Sequence, residues 1–430
     1  MQRNSDLTTK QPNATVLFVL LWLLLSVSSY FFLAAGRGNR FDFFPRWVGA
    51  RAVLRGENPY TQEISWQIQE ESLGYRAQPG EDQYRFSYSA TITWLLLPFW
   101  ILPFPLAVSL WSGLQLFLLL VLPLWVFSTL GWRIHPAPLV VILVFSTVIF
   151  RYPINAYLIG QFLPFSLACL VAAWWGLVRG KWVVASIALV LATVRPEVVV
   201  FPVLALLVLA WEKGYRRTVF LWLASIGCLW LLTRIWIGPW EADFLREVVA
   251  YVGYSDPVWP PSLLKPAGLA PLIVVAAVGW GVWMCRGSRF LDSAPRSGWI
   301  VSVGALTTLV VFPQSGNYNL ILALLSVWIT LWLARRRYPN WIPILGVLAA
   351  PWVFRAAGSD LSELEHLAIP VSLAALQTYN WRYQTKAVPR REWAADTGIG
   401  DLPLPQELLQ PISDLAKPHA VSPPPAMGPD

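Results

Sequence analysis

The chain has 430 residues, 56% of them hydrophobic and 13% charged, with a mean hydropathy of +0.52. A soluble core of this size would not bury so much apolar side chain, so the composition excludes an ordinary soluble protein and points to a polytopic membrane protein. The net charge of +8 is spread over turns between apolar runs, which makes it a guide to topology and argues against a nucleic-acid partner.

The first apolar run, Val16 to Ala35, exceeds a signal-peptide core of roughly 7–15 residues and reads as an uncleaved helix. Later runs are expected at Leu106 to Leu130, Ala137 to Phe150, Tyr157 to Val178, Trp182 to Val194, Phe201 to Trp211 and Val219 to Ile237. They continue at Pro266 to Cys285, Trp299 to Phe312, Leu320 to Ala334, Ile342 to Phe354 and Leu367 to Tyr379. Ser89 to Leu102, ahead of Pro103 and Pro105, reads as a re-entrant or interfacial piece. Alternating sides gathers Arg133, Arg179, Lys181, Lys213, Arg216, Arg217, Arg286, Arg289, Arg296 and Arg335 to Arg337 on the cytoplasmic face. This positive-inside pattern fits an all-α chain of about 12 transmembrane helices (about 10–13), with both termini cytoplasmic. Tryptophans near the expected span ends, among them Trp94, Trp132, Trp182, Trp211 and Trp341, suit the headgroup zone.

On this topology residues 1–15 form a cytoplasmic N-terminus and 16–380 the membrane domain, with long outer loops at 37–89 and 238–265. Residues 381–430 form a Pro-rich tail expected to be disordered. Within the first outer loop, Asp42 to Arg55 carries Phe43, Phe44, Trp47 and Val48 with Arg46, Arg51 and Arg55, and Gly56 follows as a C-terminal cap. Such a segment predicts an amphipathic helix in the outer headgroup plane. A turn around Pro59 follows, and Gln62 to Arg85 reads as polar loop. Cys169, Cys228 and Cys285 fall in or beside apolar runs, so no disulfide framework is expected. His135, His366 and His419 are scattered, which argues against a histidine metal site.

The polar clusters all fall on the outer face of this topology: Asp42 with Arg46, Arg151 to Asn155, Gly160-Gln161, Arg195-Pro196-Glu197 and Pro313 to Asn319. Arg195 and Glu197 interrupt an apolar stretch. Charges there cost roughly 2.5–3.5 kcal/mol on insertion scales and usually serve an interior site. Arg195 is therefore a candidate binder for a phosphate, or it is simply solvated by Glu197 in a short turn. Asp42 is either a helix N-cap or a working carboxylate. Gln161 could satisfy turn backbone groups, and Asn317, Tyr318 and Asn319 could be an ordinary turn.

Taken together, Asp42 with the following GENPY (Gly56 to Tyr60), FSYSATITWLLLPFWILPFPLAVSLW (Phe86 to Trp111), Gly160-Gln161 and VRPE (Val194 to Glu197) resemble glycosyltransferase family 87. That family is a branch of the GT-C membrane glycosyltransferases that use polyprenyl-phosphate sugars, typically mannose. The match runs from Asp42 to Asn319, with departures: Ser89 and Ala90 stand for prolines, Leu163 for Asn and Arg195 for Lys.

The resemblance implies an inverting, metal-independent sugar transfer at the extracytoplasmic face of the cell membrane, with no cofactor. It takes a polyprenyl-phosphate sugar as donor and a glycan or glycolipid as acceptor, among membrane lipids. Asp42 would be the catalytic base, with Arg195, Arg46 and Arg151 on the donor phosphate. Gln161, Glu197, Asn317, Tyr318 and Tyr60 would contact sugar or acceptor. Other readings are a polysaccharide ligase, a transporter or lipid flippase, a membrane scaffold, and a non-catalytic relative of the family.

Overall fold

The computed structural model describes residues 14–34, 42–255, 257–264, 267–288, 291, 293–335, 338–358 and 363–387. Among them the chain is all-α, without strands; a single antiparallel bridge joins Val258 to Gln314. The expected N-terminus to residue 13, the opening of the first loop to Phe41, Asp256, Arg289, Arg336, Arg337 and the tail from residue 388, with His419, lie outside the described residues.

The helices in chain order begin with α1 (Ala14–Ser29), α2 (Phe43–Leu54), α3 (Gln62–Leu73), α4 (Phe104–Thr129), α5 (Pro136–Val144), α6 (Tyr152–Ile159), α7 (Leu163–Val178) and α8 (Trp182–Ala192). They continue as α9 (Pro196–Glu212), α10 (Arg216–Ile237), α11 (Glu241–Ser255), α12 (Ala270–Gly287), α13 (Ser293–Val311), α14 (Ala323–Leu333), α15 (Trp341–Ala356) and α16 (Glu365–Ala387). Every residue of α14 is buried, and α13 packs between it and α12. The outer helices are the reverse. On α10 Phe220 is 60% and Ile235 74% exposed. A continuous apolar surface of this kind has no place in water and takes lipid as its solvent.

Five described helices are long and apolar enough to cross a bilayer, or six if the pair around α5 and α6, bent by 56°, is one span. These mark a membrane protein. Several expected crossings are shorter apolar helices of 10–17 residues.

Three expectations are corrected. The run from Tyr157 to Val178 is not one helix: α6 ends at Gly160 in the left-handed region (φ 73°), and α7 restarts with Pro164 in its first turn. Gln161 N–H bonds to Ala156 O and Gly160 N–H to Tyr157 O, the paired bonds of a Schellman cap. Gln62 to Arg85 is not all loop. Thr61 Oγ1 caps α3 by accepting from Ile64 N–H, Gly74 (φ 84°) closes it, and Ile64, Ser65, Ile68, Gln69 and Ser72 form its buried face. Finally, α2 does not lie on a lipid surface with one apolar face, because nine of its twelve residues, Arg46 among them, are buried in protein.

Aromatic packing explains that burial. Phe43 stacks on Trp100 at 5.2 Å and on Trp111 at 5.6 Å, while Phe44 meets Phe104 edge-on at 4.9 Å. Each such ring contributes about 1.5–3 kcal/mol on burial, more than an exposed helix face would gain. Ser89 to Leu102 forms two short helical turns, Ile92–Leu95 and Leu97–Trp100, that complete this wall. The Phe86 ring lies against Gly49, where a Cβ would meet it at 2.2 Å.

Gly160 carries two demands at once. Its φ is left-handed, and a Cβ there would lie 2.9 Å from the Phe43 Cβ. Gly160→Ala is expected to destabilise the fold by about 1–3 kcal/mol. Thermal unfolding of the purified protein in detergent should show a clearly lowered midpoint; an unchanged midpoint would contradict this packing.

Candidate functional site

Asp42, Gln161, Arg195 and the Pro313 to Asn319 turn come from four separate helix ends, and each has a local cause. Asp42 occupies the N-cap position of α2, yet its side chain makes no capping bond. The carboxylate instead accepts a hydrogen bond on Oδ2 from Gln161 Nε2 at 2.5 Å. Gln161 is available because Gly160 ends α6 immediately before it. Arg195 precedes Pro196, and the ring clash that bars a helical conformation at such a residue leaves it extended (φ −130°, ψ 79°) between α8 and α9. The fourth break runs from Pro313 to the 3₁₀ turn Asn317–Leu322 that leads into α14.

Gln161 is the meeting point. Its Oε1 accepts from Arg46 Nη2 at 3.0 Å and from Arg195 Nη1 at 3.4 Å, while Arg46 Nη1 donates to Gly160 O at 3.0 Å. Trp111 Nε1 donates to the same carbonyl. The Arg46 guanidinium lies between the Tyr88 and Phe162 rings, 4.6 Å from each centroid. A weakly hydrated planar cation is the group that tolerates such a slot. Arg195 also reaches Asn319 Oδ1 at 3.3 Å, Ser315 Oγ at 3.1 Å and Glu197 at 2.7 Å. Arg195 is 4% exposed, whereas the Glu197 side chain is 48% exposed. The pair is therefore lopsided: a buried cation whose acid partner still faces solvent.

Burial raises the Asp42 carboxyl above the ordinary carboxylate range, against the opposing pull of Arg46 and the bond from Gln161. A carboxylate in this state is a better base than a free one.

Of the expected site residues, Asp42, Arg46, Gln161, Arg195, Glu197 and Tyr318 gather here, Tyr318 with its ring 5.7 Å from Arg195. Asn317 lies in the same turn, but its Oδ1 accepts from Asn155. Arg151 lies over the Tyr152 ring and faces Glu365, and Tyr60 donates to Tyr88 O from an aromatic cluster with Phe86 and Trp240. Neither Arg151 nor Tyr60 has a contact with the Arg46–Gln161–Arg195 group among the described residues.

Sequence reasoning passed over Tyr88, Phe162, Ser315 and Asn319 as site members, although each sits inside or next to a segment that it had marked. It also passed over Tyr84, which has a left-handed φ of 47° and lies within electrostatic reach of Asp42, and Glu365, buried beside Tyr152 and Asn317. No sequence signal distinguished these two. Among the described residues no three His, Cys, Asp or Glu stand together as metal ligands. No family model, curated protein or solved structure matches this chain.

Proposed function

We propose that this protein is a membrane glycosyltransferase of the kind the family 87 resemblance implies, moving a sugar from a polyprenyl-phosphate donor to a hydroxyl of a glycan or glycolipid. The observation that carries the reading is the junction at Gln161, where a base-like Asp42 and two buried guanidiniums are held on one amide. Acid and cations at a fixed spacing suit a reaction that gathers a proton at one end and negative charge at the other.

In this mechanism Asp42 accepts the acceptor's hydroxyl proton as that oxygen bonds to the anomeric carbon. The bond from that carbon to the phosphate oxygen breaks on the opposite side, and its electron pair leaves with the lipid phosphate, so the anomeric centre inverts. Arg195 stabilises the departing phosphate, on the side where its ion pair with half-exposed Glu197 opens toward solvent. Arg46, with its guanidinium held by Gly160 O and Gln161 between the Tyr88 and Phe162 rings, acts on charge balance and on Gln161. Asn317, Asn319 and Ser315 offer hydrogen bonds to sugar hydroxyls. An apolar cleft of about 580 Å³ between α12, α13 and α16, lined by Ile273, Leu306, Val310 and Ala374, offers room for part of a prenyl chain. Its α13 wall leads directly into the Pro313 to Asn319 turn.

Purified protein in liposomes, given radiolabelled polyprenyl-phosphate-mannose and membrane glycolipid extract, should move label from donor to acceptor. The same assay with polyprenyl-phosphate-glucose tests the sugar. Failure of both donors across extracts that contain active acceptors would remove the proposal.

A further inference from the structure

The second long loop contains a helix whose three faces meet three different environments. On α11 the residues Leu245, Val249 and Val252 recur at intervals of four and three, which stacks them along one side. They are 62%, 73% and 54% exposed, and Val248 at 37% widens the stripe. A second side carries the charges: Arg246 is 80% exposed and pairs with Asp243, which also accepts from Asn58. The third side faces protein. Phe244 packs against Tyr60 and Trp240, Glu247 pairs with Arg85 at 3.5 Å and accepts from Tyr254, and Tyr251 lies beside Ser315 and Arg195.

The apolar stripe does not stand alone. The end of α10, three residues before α11, exposes Ile235 at 74% and Trp236 at 51%, and α10 is one of the helices long and apolar enough to span a bilayer. Only Gly238, Pro239 and Trp240 separate the exposed end of that span from the start of α11. A ridge of four aliphatic side chains beside a flank of paired charges is the pattern of a helix lying in the headgroup plane, with its apolar side a few ångströms deep.

We infer that α11 is a membrane-surface helix, docked through Leu245, Val248, Val249 and Val252 on the lipid leaflet next to the α10 end, and that this docking holds Tyr251 against the Ser315–Arg195 side of the site. The interfacial helix thus belongs to the second loop and not to α2. This inference holds whatever reaction the site performs.

The full-length protein, with its three native cysteines replaced by serine, can be labelled with a nitroxide at Val249→Cys or Arg246→Cys and reconstituted in phosphatidylcholine liposomes. Collision rates with oxygen, which partitions into lipid, and with a water-soluble nickel chelate report depth. The expected result is an oxygen-to-nickel ratio several-fold higher at 249 than at 246. Equal ratios, a higher nickel rate at 249, or dipolar broadening from a second copy of the chain would each overturn the inference. Leu245→Cys serves as a second reporter if the label at 249 disturbs folding, with the same expectation.

Discussion

Replacing Asp42 with Asn should abolish sugar transfer, by about 10²–10⁴-fold in kcat, the usual worth of a positioned general base, while the protein becomes no less stable. The two halves of this result have one cause. Burial raises the carboxyl in the folded state, so its stabilising contribution exists in the protonated form, at low pH, and is lost as pH rises through the raised value. At neutral pH the ionised group is a burden that the neutral amide lifts, and Asn can still accept the bond from Gln161 on its own oxygen.

A wild-type pH profile should carry the same signature, because the base must be ionised to act. Activity should fall on acidification at a pH above the ordinary aspartate value of about 3.9. Arg46→Gln removes the cation that pulls the Asp42 carboxyl down and should move that acidic limb higher. Full transfer by the Asn variant, in the liposome assay, would end the assignment of Asp42 as base.

The second large effect is expected at Arg195. Its guanidinium has partners on Glu197, Gln161, Ser315 and Asn319, and a lysine ammonium cannot reach four groups spread around a planar fork. Arg195→Ala should raise the donor KM and lower kcat/KM by about 10²–10³-fold, the scale seen when a group that stabilises developing charge is lost. Arg195→Lys should fall between the two, keeping charge but losing geometry. An unchanged donor KM in the Ala variant, with intact folding by gel filtration, would take Arg195 out of the donor site.

The class of fold was legible in the sequence because hydropathy is a local property: the apolar runs that mark α4, α10, α12 and α13 needed no knowledge of neighbours. The site was legible in outline for a related reason. Pro196 and the Pro313 turn break helices by backbone chemistry alone, and polar residues beside such breaks stand out from apolar surroundings; Gln161 stands out in the same way, although the helix end at Gly160 lies inside a run read as one helix. What could not be read was anything decided across the chain. The arginines and aromatics of α2 suggest a surface helix, but Trp100, Trp111 and Phe104 are brought around it from elsewhere and bury it. The amphipathic face of α11, by contrast, is written in its own residues and was hidden only by the loop-like look of its Trp- and Pro-rich surroundings. Tyr60 and Arg151 lie in marked segments too, yet packing turns their side chains to other partners.

Gln161 has one more consequence. A side-chain amide can exchange its oxygen and nitrogen by a half-turn, but here a flip would aim the NH₂ at two guanidiniums and the oxygen at a carboxylate, so its orientation is locked. The amide also works as a spacer. Among the described residues Asp42 enters no ion pair, although Arg46 stands one helical turn away. A direct Asp–Arg contact would quench the carboxylate and leave it a poor proton acceptor; one neutral amide between them keeps both charges close and the basicity of Asp42 intact.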